Sequence, residues 1–563
     1  MEKRPPIFII VLFVLITSFG TALPRPTNAQ ESDILLKALG DELQRSVGQL
    51  QLRDFGKPYF VEYGINDVES YSVTAKFGAI QSAGPERSRN ATIQVRLGNY
   101  DFDNTNLFTT GTLSNIVPLV LDDDYDSIRH DLWLATDATY KTAIEQLSSK
   151  RAFLQNNVVD GKLPDFSAEA PTVALKAREK LQIDTTKWEK FIRELSAVFR
   201  KYPEITDSTV TMVARLENRY LVNNEGTKLR EPVMLISLNI YAETMTTDHV
   251  KITPSRHLYA RSFDRLPDPA EITRTAEKLA ADLTSLRNAP LFDESYTGPV
   301  LFTDRAAVQL FAQLLAPNLA DDRPPLSARS NGGGALSERI NRRVLPPNIS
   351  IYDDPTRQDI NGQPLIGGYQ FDFQGVPAKR LSLVENGILK ALLTTRVPTK
   401  KNPNSNGRAR TAFGRPFISN MVVEARDGKS FAELKQDLIE NCKSQSLPYG
   451  IILREIDSTF FMAGNSLSEP ILAYRVYVED GREELVRNLS IDDFPLRELR
   501  QILAAGNDSF TLNHIFGSGQ GAIGTPYSVT APSVLMDEIV LRRDTSTKAK
   551  PLILTHPYFD RAK

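Results

Sequence analysis

Cysteine is all but missing from this 563-residue chain: Cys442 stands alone, so no intramolecular disulfide can form and stability must come from core packing. It ends an amphipathic stretch over residues 431–442, where a small buried apolar role is expected. Histidine is scarce as well. The five present are His130, His249, His257, His514 and His556, and no two stand three, four or five residues apart, so the paired-histidine spacing of a helical zinc site is absent. An excess of charge is also missing. A formal net charge of -2 offers phosphate backbones no strong attraction, which disfavours nucleic acid as a partner.

A hydrocarbon span needs about 20 apolar residues, and the N-terminal apolar stretch 7–16 falls short of that. The charged start Met-Glu-Lys-Arg before it and Thr27-Asn-Ala29 after it read as a secretory signal over residues 1–29, cleaved after Ala29 or Ala22. The mature chain is then expected to be secreted or periplasmic, with no stable membrane span after cleavage. A retained N-terminal anchor is the alternative. No cysteine follows the stretch closely enough to accept a lipid.

What is present is an ordinary globular composition, 41% hydrophobic and 24% charged. Length alone suggests about two to four domains. Apolar spacing of period 3.6 predicts helices over 33–47 with Ser32 as N-cap, then 122–156 with His130 on its surface, 188–202, 269–287, 305–316, 431–442 and 496–505. Alternating β-branched and aromatic runs predict strands at 59–65, 70–79, 91–97, 209–216, 220–222, 232–242, 300–302, 381–384, 389–394, 418–423, 450–456, 471–478 and 534–541. A turn-rich joint, Asn288-Ala-Pro and then Tyr296-Thr-Gly-Pro299, divides them. The expected class is α+β in two domains. Residues 30–292 would pack helices on an antiparallel sheet, with a helical insertion around 122–200, and residues 297–563 would be mainly antiparallel β. Mobile loops are expected at 330–335 and 400–410.

The specific signals are in the second half. They are the run from Gly298 to Leu319, Ile351-Tyr-Asp-Asp354, Phe371 to Lys390, Asn406-Gly-Arg408 with Ser419-Asn420, and Ala505-Gly-Asn-Asp508. Together they resemble the TldD/PmbA family of metallopeptidases, also called modulators of DNA gyrase, and the resemblance extends from Ile34 to Arg542. For zinc-bearing members it implies a His-Glu-x-x-x-His helix and a Cys-Gly near the C-terminus. Matching the flanking leucines and the following Asn-Leu puts the first His on Ala312, the Glu on Gln313 and the second His on Pro317. Matching Gly506-Asn-Asp508 and the downstream Pro526 and Pro532 puts the Cys on Ser518, followed by Gly519.

A methyl, an amide, a proline ring and a hydroxyl make a poor zinc set, and an amide cannot take a proton as a carboxylate does. No catalytic residue, metal ligand or cofactor is therefore expected here, although active family members carry zinc. His514 is the one histidine near enough in sequence to the degenerate C-terminal position to substitute as a ligand, against its plainer reading as a loop histidine. Gln374 replaces an acidic residue usual in the family before the following Gly. Ala312, Gln313, Pro317 and Ser518 are expected to converge on one pocket, and Gln313, Gly517, Ser518, Gly519 and Asn420 are candidates to line a peptide groove.

Three other strings carry less. Gly519-x-Gly521-x-x-Gly524 lacks the strand–turn–helix context of a dinucleotide site and reads as a turn. Gly332-Gly-Gly334 lacks the lysine of a phosphate loop, and the acids Asp122 to Asp124 and Asp321-Asp322 lack calcium-loop spacing. The resemblance therefore implies an exported, catalytically degenerate protein, closer to the zinc-free PmbA (TldE) branch. It would act as a non-catalytic or substrate-holding subunit in peptide proteolysis. Its partner would be a TldD-like zinc-bearing subunit or a second copy, and its substrate peptide or unfolded polypeptide. Two rivals stay open: an active metallopeptidase with relocated ligands, and a peptide-binding protein without a proteolytic partner.

Overall fold

Four long strands, Phe60–Lys76, Ala79–Arg96, Ile205–Asn223 and Lys228–Met245, dominate the first half of the chain and lie side by side as two antiparallel hairpins in an eight-stranded sheet. This is a computed structural model, describing residues 33–52, 55–109, 114–157, 163–246, 248–328, 335–411, 414–457, 467–517, 524–544 and 557. The expected signal segment, Ser518, Gly519, His556 and most of the 330–335 loop lie outside the described residues. The first and third were each expected as two pieces and the second and fourth as single shorter strands, 91–97 and 232–242, because polar segments such as Asn66 to Glu69 interrupt the alternation. They remain in the ladder because Asp67 lies opposite Arg89. The Arg89 guanidinium holds it at 3.1 Å, and Arg178 reaches the same carboxylate at 2.6 Å.

Helices cover one face of this sheet. Val61, Tyr63 and Ile65 pack with Leu35 and Leu39 of α1 (Ile34–Gln49) and with Ile128 and Leu132 of α2 (Tyr125–Asn156). Tyr71, Val73 and Ala75, the same face farther along the strand, pack with Ile192 of α3 (Thr185–Ala197) and with Ile272 and Leu279 of α4 (Pro269–Asn288). Asp33, rather than the expected Ser32, caps α1, its carboxylate accepting from Leu36 N at 3.1 Å.

The second half holds two large sheets around one large core, and a short two-stranded ribbon, Asp359–Ile360 with Gln363–Pro364. In the seven-stranded sheet, Tyr296–Phe302 lies between Tyr449–Ile456 and Val534–Arg543; in the six-stranded sheet, Asn420–Ala425 lies between Ile349–Asp353 and Thr525–Ala531, with Phe510–Phe516 outermost. Most neighbouring strands are antiparallel. Tyr449–Ile456 beside Tyr296–Phe302, Asn420–Ala425 beside Thr525–Ala531, and Val173–Leu175 beside Lys228–Met245 run parallel. Helix α5 (Asp304–Leu314) packs against strands of both sheets, and α6 (Phe431–Ser444) covers the seven-stranded one through Leu434, Leu438 and the fully buried Cys442. Burial pushes the Cys442 thiol up to about 11. The fold is α+β.

Three expectations change. Residues 496–505 are a 3-10 turn, Leu496–Gln501, and then a strand, Ile502–Ala505, because the second piece pairs with Val534–Arg543. The strand expected over 389–394 stops at Leu389, where the Asn406 side chain takes over the backbone by accepting from Thr394 N and donating to Leu392 O. The 400–410 segment is pinned rather than free: Arg408 is fully buried on Asp353 at 2.7 Å, and Arg410 donates to Ile418 O and Pro526 O. Among the described residues, no helix is long and apolar enough to cross a membrane.

Candidate functional site

Residues 306–314 of α5 are all buried, so this helix is surrounded by protein rather than half solvated. Its apolar residues Ala306, Val308, Leu310, Phe311 and Leu314 need no polar partner, but Gln309 and Gln313, four residues apart on one face, do. Gln309 Nε2 donates to Ile456 O at 2.5 Å while its oxygen accepts from Ile456 N at 3.0 Å. Gln313 Nε2 donates to Asp457 O at 2.6 Å while its oxygen accepts from Ser468 N at 2.9 Å. Each amide thus makes one donor bond and one acceptor bond to backbone, and the pair ties α5 to the end of strand Tyr449–Ile456. Ala312 is 2% exposed beside them, and Pro317 sits half-buried in the turn Ala316–Leu319.

The same helix packs against the hairpin formed by Phe510–Phe516 and Thr525–Ala531. The helix that carries Ala312 and Gln313 thus packs against these two strands, while Ser518 and Gly519 lie outside the described residues. Gly517, at the start of the hairpin tip, is exposed with φ +73. Asn420 is fully buried; its nitrogen donates to Asp354 O and Arg357 O at 3.0 and 2.9 Å, and its oxygen has no hydrogen-bond partner. Gly367 makes that approach possible, since a Cβ there would stand 2.5 Å from the Asn420 oxygen.

His514 is a strand residue rather than a loop histidine. Its ring meets His257 and Tyr527 edge-on, with centroids 6.0 and 5.7 Å apart. Burial pushes His257 down to about 4, helped by the charges of His514, Arg305 and Arg256, and burial also lowers His514. Burial thus favours the neutral form of both rings. Among the described residues, no group of three or more His, Cys, Asp or Glu side chains is arranged to hold a metal ion.

The two halves are joined by side chains that sequence reasoning did not single out. Arg256, on strand Ser255–Ala260, forms two parallel bonds to Glu455 of strand Tyr449–Ile456, at 2.7 and 2.8 Å. Arg396, fully buried, reaches from the second half to Glu225 at 2.6 Å and to Ser167 O, and Gln374 accepts from its backbone N at 3.0 Å. Beside Arg256 opens a cleft of about 420 Å³ between the halves.

Residues 295–543 match the PmbA/TldA metallopeptidase C-terminal domain. A metalloprotease of Methanothermobacter thermautotrophicus is 30% identical over 182 residues, which is 31% of this chain and 37% of that protein. One from Archaeoglobus fulgidus is 28% identical over 209 residues, 36% of this chain and 44% of the relative. The aligned regions thus span less than half the length of these two curated relatives. The crystal structure of TldE from Thermococcus kodakarensis shares this fold with a TM-score of 0.56 over 90% of this chain and 100% of that one, at 14% identity. Residues 295–543 thus carry the C-terminal domain of the TldD/PmbA family, and the chain shares the fold of TldE over most of its length.

The polar pair on α5 is Gln309 and Gln313, and only Gln313 was legible as a site position. Gln309 carries no motif. Its partner, Ile456, is a backbone group 147 residues away, which no local spacing encodes.

Proposed function

We propose that this chain is an exported, substrate-holding member of the TldD/PmbA family without peptidase chemistry of its own. It would work beside a TldD-like zinc-bearing subunit or a second copy. The observation that carries the proposal is the bonding of Gln313. At the position matched to the family's glutamate stands an amide whose nitrogen donates to Asp457 O and whose oxygen accepts from Ser468 N, so the side chain is anchored to backbone, and an amide cannot take a proton as a carboxylate base does. Ala312 and Pro317 beside it have no side-chain donor atom. These residues do not fit a zinc ion, and no step of the proposed role runs through one.

Holding a peptide needs an unpaired sheet edge more than it needs a metal. Among the described residues, strand Phe510–Phe516 is outermost in its sheet and pairs with Thr525–Ala531 on one side alone; His257 of strand Ser255–Ala260 lies against it at His514, and its Phe510 end lines the cleft between the halves, which is where an extended chain would add. The test is hydrolysis of casein and of short unstructured peptides by the purified chain, with and without added zinc and chelator. The expected result is no cleavage in any arm, with cleavage appearing only when a zinc-bearing family subunit is added. Chelator-sensitive cleavage by this chain alone would refute the proposal. Export is tested by cell fractionation, in which a chain retained whole in the cytoplasm would contradict it.

A further inference from the structure

The face of the eight-stranded sheet turned away from the helices gathers arginines with too few acids to match them. On Ile205–Asn223 the even positions Ala214 and Tyr220 pack under the helices, so Arg215, Glu217, Arg219 and Leu221 project from the other face. That face meets the second half. Leu221 lies 3.3 Å from where a Cβ on Gly375 would stand, and the Arg219 guanidinium sits 4.5 Å over the Phe373 ring. Arg261, one residue beyond strand Ser255–Ala260, and Arg410 of the second half complete the group: the charges of Arg410 and Arg219 both act on Arg261, and that of Arg219 acts on Arg410.

Among the described residues, Glu217 is the one carboxylate paired with any of these four guanidiniums. It lies 3.9 Å from both Arg215 and Arg219, with no hydrogen bond to either. The neighbouring acids are committed elsewhere, Asp353 to Arg408 at 2.7 Å and Glu231, across the ladder from Arg219, to Lys176 at 3.5 Å. Arg261 Nη2 donates to Ile366 O and Gly368 O, and Arg410 donates to Ile418 O and Pro526 O at 2.8 and 2.7 Å. Neutral carbonyls fix the direction of these side chains without cancelling their charge. Arg215 is only 26% exposed, and its Nε and Nη2 are buried with no hydrogen-bond partner. Burial, with like charges beside it, pushes Arg261 down to about 9 and Arg410 to about 10, so both still carry their proton near pH 7. Four guanidiniums on one carboxylate leave three positive charges without an acid in a place partly shut off from water.

We propose that this arginine cluster binds a compact multivalent oxyanion of the phosphate class between the two halves. Guanidinium forks offer phosphate oxygens paired N–H donors, and a phosphate group carries about two negative charges near pH 7. A lone carboxylate would cancel one charge of the three, and the carboxylates of an acidic peptide are spread along its backbone rather than gathered at one point. Arg215, Arg219 and Arg261 come from the first half and Arg410 from the second, so the bound anion ties the halves together and stabilises them by mass action. The site stands apart from the peptide-holding role, and neither depends on the other.

The test is titration calorimetry and thermal unfolding of the full chain in chloride buffer at fixed ionic strength, with inorganic phosphate and glycerol 3-phosphate as probes and acetate as the carboxylate control. Both probes are expected to bind once per chain and to raise the thermal midpoint to a plateau, which a general salting effect does not do. Tighter binding of glycerol 3-phosphate upholds the site and makes its ligand a phosphate monoester; equal or tighter binding of inorganic phosphate upholds it and makes the ligand the free ion. Arg215→Gln and Arg219→Gln should each weaken binding about tenfold, in the range of one charge-assisted contact. Each should also leave the midpoint in chloride unchanged or raised, because it removes a cation that nothing balances. Absence of saturable binding of either probe to the unaltered chain would overturn the inference without recourse to a variant, as would unchanged affinity in both variants. Acetate binding more tightly than phosphate would overturn the phosphate assignment.

Discussion

At position 313 an amide donates to Asp457 O and accepts from Ser468 N, a combination that an ionised carboxylate cannot make. Gln313→Glu would therefore bury a negative charge against a carbonyl oxygen. We expect it to destabilise the fold by about 3 kcal/mol at pH 8 in urea unfolding and to restore no cleavage. The loss should shrink as pH falls, because the protonated acid can donate where the amide does. Full stability with zinc-dependent cleavage in this variant would contradict the assignment. Glu62 makes the opposite case, a carboxyl already set in a low-dielectric place. Burial pushes it up to about 7, against the opposing effects of Arg396 and of the 3.2 Å bond from Asn223. The folded state therefore holds this proton more tightly than the unfolded chain, so stability falls as pH rises from the ordinary carboxylate range through about 7. Glu62→Gln should flatten that slope and be the more stable protein at pH 8. Parallel pH–stability curves for the two proteins would contradict the cause given.

Elements were legible where their signals are local. Helix α6 carries a full capping box, Ser430 with Glu433, and its apolar residues repeat at helical spacing. Helix α4 opens on Asp268 followed by Pro269, and its burial follows the same period. The long strands were not legible as units, since Asp67 reads as a break until Arg89 is known to lie across from it. Residues 496–505 show the reverse error, an apolar spacing read as helical that the edge of Val534–Arg543 recruits as strand. Packing between elements is tight where α6 crosses Gly450. A Cβ there would stand 2.8 Å from Leu438 and 2.9 Å from Cys442. Gly450→Ala should cost about 2 kcal/mol through displaced helix packing, read as a lowered thermal midpoint. Leu438→Ala in the same chain should relieve part of the clash, and simple additivity of the two changes would contradict it.

At the scale of the whole molecule, the halves meet through ion pairs and hydrogen bonds between groups far apart in the chain. Arg256 and Glu455, 199 residues apart, illustrate why the junction could not be read in advance: each is an unremarkable charge in its own strand. Removing Arg256 takes both of its parallel bonds from the buried Glu455 and leaves it only Arg305, 3.2 Å away. Arg256→Gln should accordingly cost about 2–4 kcal/mol and speed proteolytic cleavage between the halves, and a variant as protease-resistant as the parent would show that the halves do not depend on this pair. Motif matching did bring positions 312 and 313 to notice, because they sit in a distinctive string. It could not supply the backbone bonds that occupy Gln313, which come from residues 144 and 155 positions away. The central claim is that the helix matched to the family's zinc site has become a structural tie. The most direct test is the metal content of the purified, zinc-dialysed chain by mass spectrometry. The account predicts zinc far below one ion per chain, whereas one tightly held zinc per chain would contradict it.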